Sequence, residues 1–467
     1  MSSLELDRAT FDDLARRTAA LASDFVASLD ERTIMPGLSG SDVLERFGEP
    51  LPERGLGPKA FEALSRVAEA SRASNARFFG YVHGPGDPVA ALGDFYASIL
   101  NQNVTAWRSA PAAVTIERTV VGWLAELIGC RGFSGSMTGG GSMGMLMGLL
   151  MARESRAPAA RSGAQPCVVY ASDEVHMAAR KAIAILGIGL DNLRLIPVDE
   201  AFRMRVDALS SAVAEDRRRG LHPIAVVASA GTINTGAIDP LEAIAEVAQT
   251  EDLWLHVDGA YGALAAMAMP DRFAGLSRAD SIALDAHKWL YQPLDASVFL
   301  HRDAELAHRT FAFTDDYANS LYADPIEGFM FFEETIELSR RFRALKVWLS
   351  LRYHGAAAFR EAIAENIRQA ELLGARIDAK PTLERLAPVG LSTVCFRWVG
   401  DRTGDLDAQN RALLQQLVGG GRVYLSNATL HGQFALRACI VNPRTTEADL
   451  GILVDELIAT APASATR

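Results

Sequence analysis

The strongest constraint on the fold is an alternation. Short β-rich runs at 167–170, 193–197, 224–228, 253–257 and 281–284 are separated by stretches of helical character. Strands joined through helices are brought side by side in parallel, so this region predicts an α/β fold with a mainly parallel sheet. After about residue 345 the pattern changes: a long helix over 344–353 leads to strands near 392–398 and 434–440, which predicts a smaller α+β domain. At the other end, Leu4, Phe11, Leu14, Leu21, Phe25 and Leu29 recur with charges between them, the signature of an amphipathic helix over 3–30. Prolines and glycines from Pro36 to Pro58 then extend the chain before helix returns over 60–73. The expected organisation is a helical arm over 1–85 packing on a partner subunit, a large α/β domain over 86–345 and a small C-terminal domain over 346–467.

A chain of 467 residues is longer than one hydrophobic core usually serves, which agrees with that division. Charged residues make up 22% and hydrophobic ones 49%, with no apolar run of bilayer length and no signal-like N-terminus, so a cytoplasmic location is expected. Cys130, Cys167, Cys395 and Cys439 are scattered without metal-ligand spacing and read as reduced structural thiols, and no metal site is expected. A net charge of -11 argues against nucleic-acid binding, and Arg217–Arg219 reads as the solvated end of a helix.

Chemistry concentrates where the strands end. Lys288, in Asp285-Ala286-His287-Lys288-Trp289, follows the run at 281–284, and Asp258, in His256-Val257-Asp258-Gly259-Ala260, follows the run at 253–257. Ligands of parallel sheets gather at those carboxyl ends. A lysine and a buried carboxylate so placed suit pyridoxal 5'-phosphate (PLP): the amine forms a Schiff base with the aldehyde, and the carboxylate keeps the pyridine nitrogen protonated so that the ring accepts electrons. Thr138-Gly139-Gly140-Gly141-Ser142 precedes a helix over 143–153, and such a turn lets backbone N–H groups approach a phosphate. Met143, Met145, Met147 and Met151 in that helix read as core filling.

These segments, in order, resemble the group II PLP-dependent decarboxylases, the family of aromatic-amino-acid, glutamate, cysteine-sulfinate and diaminobutyrate decarboxylases. The resemblance covers nearly the whole chain and is also carried by Asn103 with Trp107, Ser172 to His176, Gly231-Thr232, Arg340 to Trp348 and Leu436-Arg437. It implies a fold-type I (aspartate-aminotransferase-like) PLP enzyme, with Lys288 as the Schiff-base lysine, Asp258 on the ring nitrogen and His176 stacked on the ring. By the same resemblance Ala260 lies against the other ring face, Gly140, Gly141, Ser142 and His287 hold the phosphate, and Thr232 is near the ring. Phe79, Tyr81, Val82, His83, Asn103 and Thr105 are implied on the substrate side, and Arg437 is similar to an arginine that meets a substrate carboxylate.

One position departs from the family. Counting back from Arg340-Arg341, the mobile-loop tyrosine that donates a proton in relatives is replaced by Phe331, with Tyr317 and Tyr322 upstream. The resemblance therefore implies decarboxylation of an L-amino acid to the amine, with an aromatic substrate favoured over an acidic or diamino one. Two alternatives stay open: oxygen-dependent conversion to an aldehyde, which relatives with phenylalanine there perform, and an aminotransferase or catalytically inactive PLP binder. The resemblance further implies a homodimer whose active site is shared through the loop at 312–338 and the N-terminal arm.

Overall fold

The computed structural model describes residues 4–313, 324–400 and 404–461. Its larger sheet has seven strands: β1 (Ser134–Thr138), β2 (Val168–Ser172), β3 (Leu193–Ile196), β4 (Pro223–Ser229), β5 (Trp254–Asp258), β6 (Ser281–Asp285) and β7 (Ser297–His301). They lie in the order β1-β7-β6-β5-β4-β2-β3, and every neighbouring pair is parallel except those made by β7. β2, β4, β6 and β7 are buried along their whole length, as expected of strands covered by helices on both faces. β1 and β7 were not expected. The Ser-Gly-Ser-Met-Thr of β1 has little intrinsic strand preference, and its place is set by pairing with β7, far away in sequence.

The helix Gly141–Arg156 crosses this sheet closely because its inner face carries glycines. A Cβ on Gly144 would stand 2.7 Å from the Ala283 Cβ, and one on Gly148 would stand 2.2 Å from the His256 Nδ1. Met145, Met147 and Met151 fill the core beside them, as the sequence suggested. The close approach carries the N-terminus of the helix to the carboxyl ends of β5 and β6, where Asp258 and Asp285 stand.

The second sheet is antiparallel, in the order β10-β11-β9-β8, from β8 (Leu383–Arg385), β9 (Thr393–Trp398), β10 (Ser426–Leu430) and β11 (Gln433–Cys439). The long helix runs over Ala344–Asp378, much further than the 344–353 expected, and changes direction at Gly355, where φ is +78°. It therefore crosses the division expected at 345/346. The segment 78–84 joins the two sheets: Phe79 N–H donates to the Tyr424 carbonyl, Cys439 N–H donates to the Phe79 carbonyl, and Gly84 N–H donates to the His287 carbonyl.

At the N-terminus the first helix spans Arg8–Ala27, begun by the Asp7 carboxylate accepting from Thr10 N–H. A short 3-10 turn (Gly57–Glu62) and a helix (Ala63–Glu69) replace the single helix expected over 60–73. Arg217 to Arg219 do close a helix, Val206–Arg218, with Arg217 paired to Glu251. Among the described residues no helix is long and apolar enough to cross a membrane.

Candidate active site

A cavity of about 250 Å³ opens at the carboxyl ends of the parallel strands, lined by Gly140, Gly141, Ser142, His176, Thr232, Asp258, Ala260, His287 and Lys288 among others. Nine residues that the sequence assigned to catalysis or cofactor binding thus share one wall. β5 supplies Asp258 at its last position, and β6 runs directly into the one-turn helix Ala286–Trp289 that carries His287 and Lys288.

Burial pushes the Asp258 carboxyl above its ordinary range, against the pull of Lys288, of the Ala260 N–H that donates to Oδ1 at 3.1 Å, and of His176. A carboxyl so placed gains most from a cation brought into contact with it. His176 caps the helix Met177–Ile185, with Nδ1 accepting from Ala178 N–H at 3.2 Å. That bond leaves the proton of the neutral ring on Nε2, and burial holds the ring below the ordinary histidine range despite Asp258. His287 is likewise pushed down by burial against Asp285, and its Nδ1 accepts from Ala296 N–H at 3.3 Å.

The glycine turn is held from below. Arg340 is buried and donates to the Val104 carbonyl at 2.8 Å, to the Met137 carbonyl at 2.9 Å and to the Glu117 carboxylate, which also accepts from Met137 N–H at 2.8 Å. Met137 lies in β1, one residue before Thr138, so this buried ion pair fixes where the turn begins. Gly141 has no room for a side chain: a Cβ there would stand 2.8 Å from the Ala260 Cβ and within 3.3 Å of both Asp285 carboxylate oxygens. A bare backbone at a helix N-terminus, beside a lysine and below a buried carboxyl, fits the phosphate, aldehyde and ring nitrogen of PLP.

The remaining assigned residues divide. Burial lowers the His83 pKa to about 4, helped by Arg72, His287 and Lys288, and its neighbour Gly84 bonds the His287 backbone. Tyr81 is half exposed, with its hydroxyl 2.9 Å from that of Tyr424. Arg437 is buried against the Ile233 carbonyl and the Ser426 hydroxyl, next to the cavity but held by protein groups. None of Phe79, Tyr81, His83, Asn103, Phe331 and Arg437 lines this cavity within the chain. Phe79 is fully buried in the core under the second sheet because its backbone is pinned to Tyr424 and Cys439. Asn103 accepts from Arg340 N–H at 2.9 Å. Phe331 is fully buried, with the Arg340 guanidinium 4.2 Å from its ring centre. Tyr317 and Tyr322 lie outside the described residues.

Sequence reasoning missed a role for Asp285. Its Oδ2 is 2.9 Å from Lys288 Nζ, and its other oxygen accepts from the Ser297 hydroxyl. The signal was present: a carboxylate three residues before a lysine pairs with it once the segment turns helical.

A strand-end lysine, a buried aspartate and a glycine-started helix on this sheet define a PLP enzyme of fold type I. The chain belongs to the family described as the pyridoxal-dependent decarboxylase conserved domain, whose pattern matches residues 67–399. It is 34% identical over 458 residues to an aromatic-L-amino-acid decarboxylase of Bacillus atrophaeus, covering 96% of this chain and 95% of that one. It is 31% identical over 392 residues to a phenylacetaldehyde synthase of Petunia hybrida, covering 79% and 77%. Among solved structures, that of Oryza sativa TDC with PLP and tryptamine superposes with a TM-score of 0.89 at 26% identity, covering 98% of this chain and 99% of that one. The chain is a PLP-dependent amino-acid decarboxylase.

Proposed function

We propose that the chain decarboxylates an aromatic L-amino acid to the corresponding amine, with Lys288, Asp258 and His176 as the catalytic residues. The observation that carries this reading is the convergence of those three side chains with the Gly140–Ser142 turn on one cavity. When bound, PLP supplies the electron sink that lets the bond from the substrate α-carbon to its carboxylate break. Lys288 would hold the cofactor through its aldehyde. Asp258, raised by burial, holds a proton on the ring nitrogen. Gly140, Gly141, Ser142 and His287 take the phosphate, while Ala260 and Thr232 bound the ring. His176 would lie against the ring, with the Nε2 proton left free by the Nδ1 bond to Ala178 N–H. Tyr81, His83 and Arg437 form the substrate side in this chain, where His83 stays neutral and can accept a hydrogen bond from a hydroxyl or an amine.

A second copy of the chain completes the site. Asn103 lines a different cleft from the cofactor cavity of its own chain, and the helix Pro88–Leu100 exposes Leu92, Phe95, Tyr96 and Ile99 along one stretch. An apolar face of that kind marks an interface, and a homodimer with twofold symmetry brings it against itself or its neighbour arm. The four cysteines are free and buried, which suits a reducing cytoplasm.

Phe331 favours a second reading. It has no proton to give, and a phenylacetaldehyde synthase is among the relatives. In that reaction the amino acid, dioxygen and water yield aldehyde, carbon dioxide, ammonia and hydrogen peroxide. The cofactor-loaded protein is incubated in air with a panel of L-amino acids while all five products are quantified. Carbon dioxide matched by amine supports the first reading, carbon dioxide matched by aldehyde and peroxide replaces it with the second, and no carbon dioxide from any substrate refutes both.

A further inference from the structure

A second cavity, of about 230 Å³, lies outside the cofactor cavity and shares no lining residue with it. It forms where the helix Ala344–Asp378 turns at Gly355, which brings His354 before the turn and Ala358 and Phe359 after it to one pocket. The rest of the lining comes from Tyr291, from the start of the helix Pro88–Leu100 and from the loop after β11, which carries Arg444. Tyr291 and Phe359 are buried rings stacked with centres 6.3 Å apart, and His354 stands edge-on to Phe359 at 5.7 Å. Pro85, Pro88 and Pro443 make the remainder largely apolar.

The charged groups of this pocket are unequally engaged. The Asp87 carboxylate accepts from Val89 N–H at 3.1 Å and from the Ser350 hydroxyl, with His354 Nε2 3.3 Å away. The Arg444 side chain is 33% exposed, and among the described residues its guanidinium has one ion pair, with Asp30 at 4.0 Å, which is beyond hydrogen-bond distance. A guanidinium grips a carboxylate through two parallel hydrogen bonds, a geometry that Asp30 does not make. Size narrows the class of ligand further. An apolar cavity of roughly 150 Å³ takes a benzene ring, so this larger one has space for a ring and a short arm bearing a carboxylate. A flat ring can also join the stacked pair of Tyr291 and Phe359.

We propose that this pocket binds a small aromatic carboxylate, with the ring on Tyr291 and Phe359 and the carboxylate on Arg444. The proposal goes beyond the decarboxylation reading and does not depend on it. The pocket adjoins the lysine turn through the backbone: Asp87 N–H donates to the Tyr291 carbonyl at 2.7 Å, and Tyr291 N–H donates to the Lys288 carbonyl at 3.2 Å. The ligand therefore touches Tyr291, the residue that closes the turn carrying Lys288.

The probe is 4-fluorophenylacetate, which carries ring and carboxylate and has no amine to react with the cofactor aldehyde. Its binding to the cofactor-loaded full chain is followed by fluorine NMR. The wild type is expected to bind it with a Kd of about 1 mM or below, the range open to a ligand of this size. Arg444→Gln should weaken binding at least about tenfold, the effect of losing a charge-assisted hydrogen bond. Ala358→Trp, at an exposed position of the lining, should abolish binding by filling the space. Neither residue lines the cofactor cavity, so any probe bound there is common to the three proteins and cancels in the comparison. Both positions are solvent-accessible, and an unchanged far-ultraviolet circular dichroism spectrum verifies that each variant is folded. Binding unchanged in either variant, no binding by the wild type, or equally tight binding of the neutral 4-fluorophenylacetamide overturns the proposal.

Discussion

Glu334 follows the turn Phe331–Glu333, and burial raises its pKa from 4.5 to about 7, offset by Arg118 and His308 and reinforced by Glu333. The folded chain keeps this proton up to about pH 7 while the unfolded chain loses it near 4.5. Between those values the folded state binds more protons, so stability contributed by this carboxyl is full below the window and falls as pH rises through it. Glu334→Gln should therefore raise the melting temperature at pH 8 and flatten its decline above pH 4.5, a gain of the order of 1–2 kcal/mol. An unchanged melting profile would count against this burial. Lys288→Ala should lower carbon dioxide release by at least about a thousandfold, and turnover at the wild-type rate would remove the lysine from the mechanism. At this scale the sequence exposed what short motifs encode: Lys288, Asp258, His176 and the glycine turn all line one cavity. It did not expose what depends on a local turn. Asp285 became the partner of Lys288 only once the one-turn helix was seen, and the burial of Phe331 beneath Arg340 depends on a contact between segments that no motif contains.

Elements tell a similar story. The strands legible in sequence are those with continuous apolar runs, such as β4 and β6, because burial on both faces demands them. β1 escaped notice since Ser134–Thr138 is held by its partner β7 and by the Glu117–Arg340 pair bound to Met137, all of which are distant in sequence. The helix Gly141–Arg156 gives a test of how tightly element packs on element. Gly148→Ala gains helix propensity of about 1 kcal/mol, but its Cβ would stand 2.2 Å from the His256 ring, where that ring is fixed by a 2.8 Å bond to Ser281. Overpacking costs about 1–3 kcal/mol in a filled core, so the net change should be a lower midpoint of denaturant unfolding with the slope unchanged. A higher midpoint would mean that the helix stands further off the sheet than described. Arg340→Met leaves Glu117 as an unpaired buried carboxyl and should cost about 3–5 kcal/mol, read in the same experiment.

For the whole molecule, the proposed homodimer draws on the exposed apolar stretch of the helix Pro88–Leu100. Phe95→Glu combined with Ile99→Glu should convert a dimer to monomers in sedimentation velocity and reduce turnover per chain, while the circular dichroism of the fold persists. A monomeric variant retaining full activity would contradict a shared site. The resemblance implied a homodimer, but which face would meet a second copy is not legible in the sequence, because contacts between copies leave only exposed apolar side chains such as Phe95 and Ile99 as their trace.

The segment from Phe79 to Gly84 has a mechanical meaning. It is bonded to the second sheet at Tyr424 and Cys439, and to the lysine turn at the His287 carbonyl. The segment is bent rather than extended, with Tyr81 at φ +56°, and its full reach is about 17 Å. A tilt of the second sheet relative to the lysine turn would therefore have to break one of these three bonds or turn the backbone between Phe79 and Gly84.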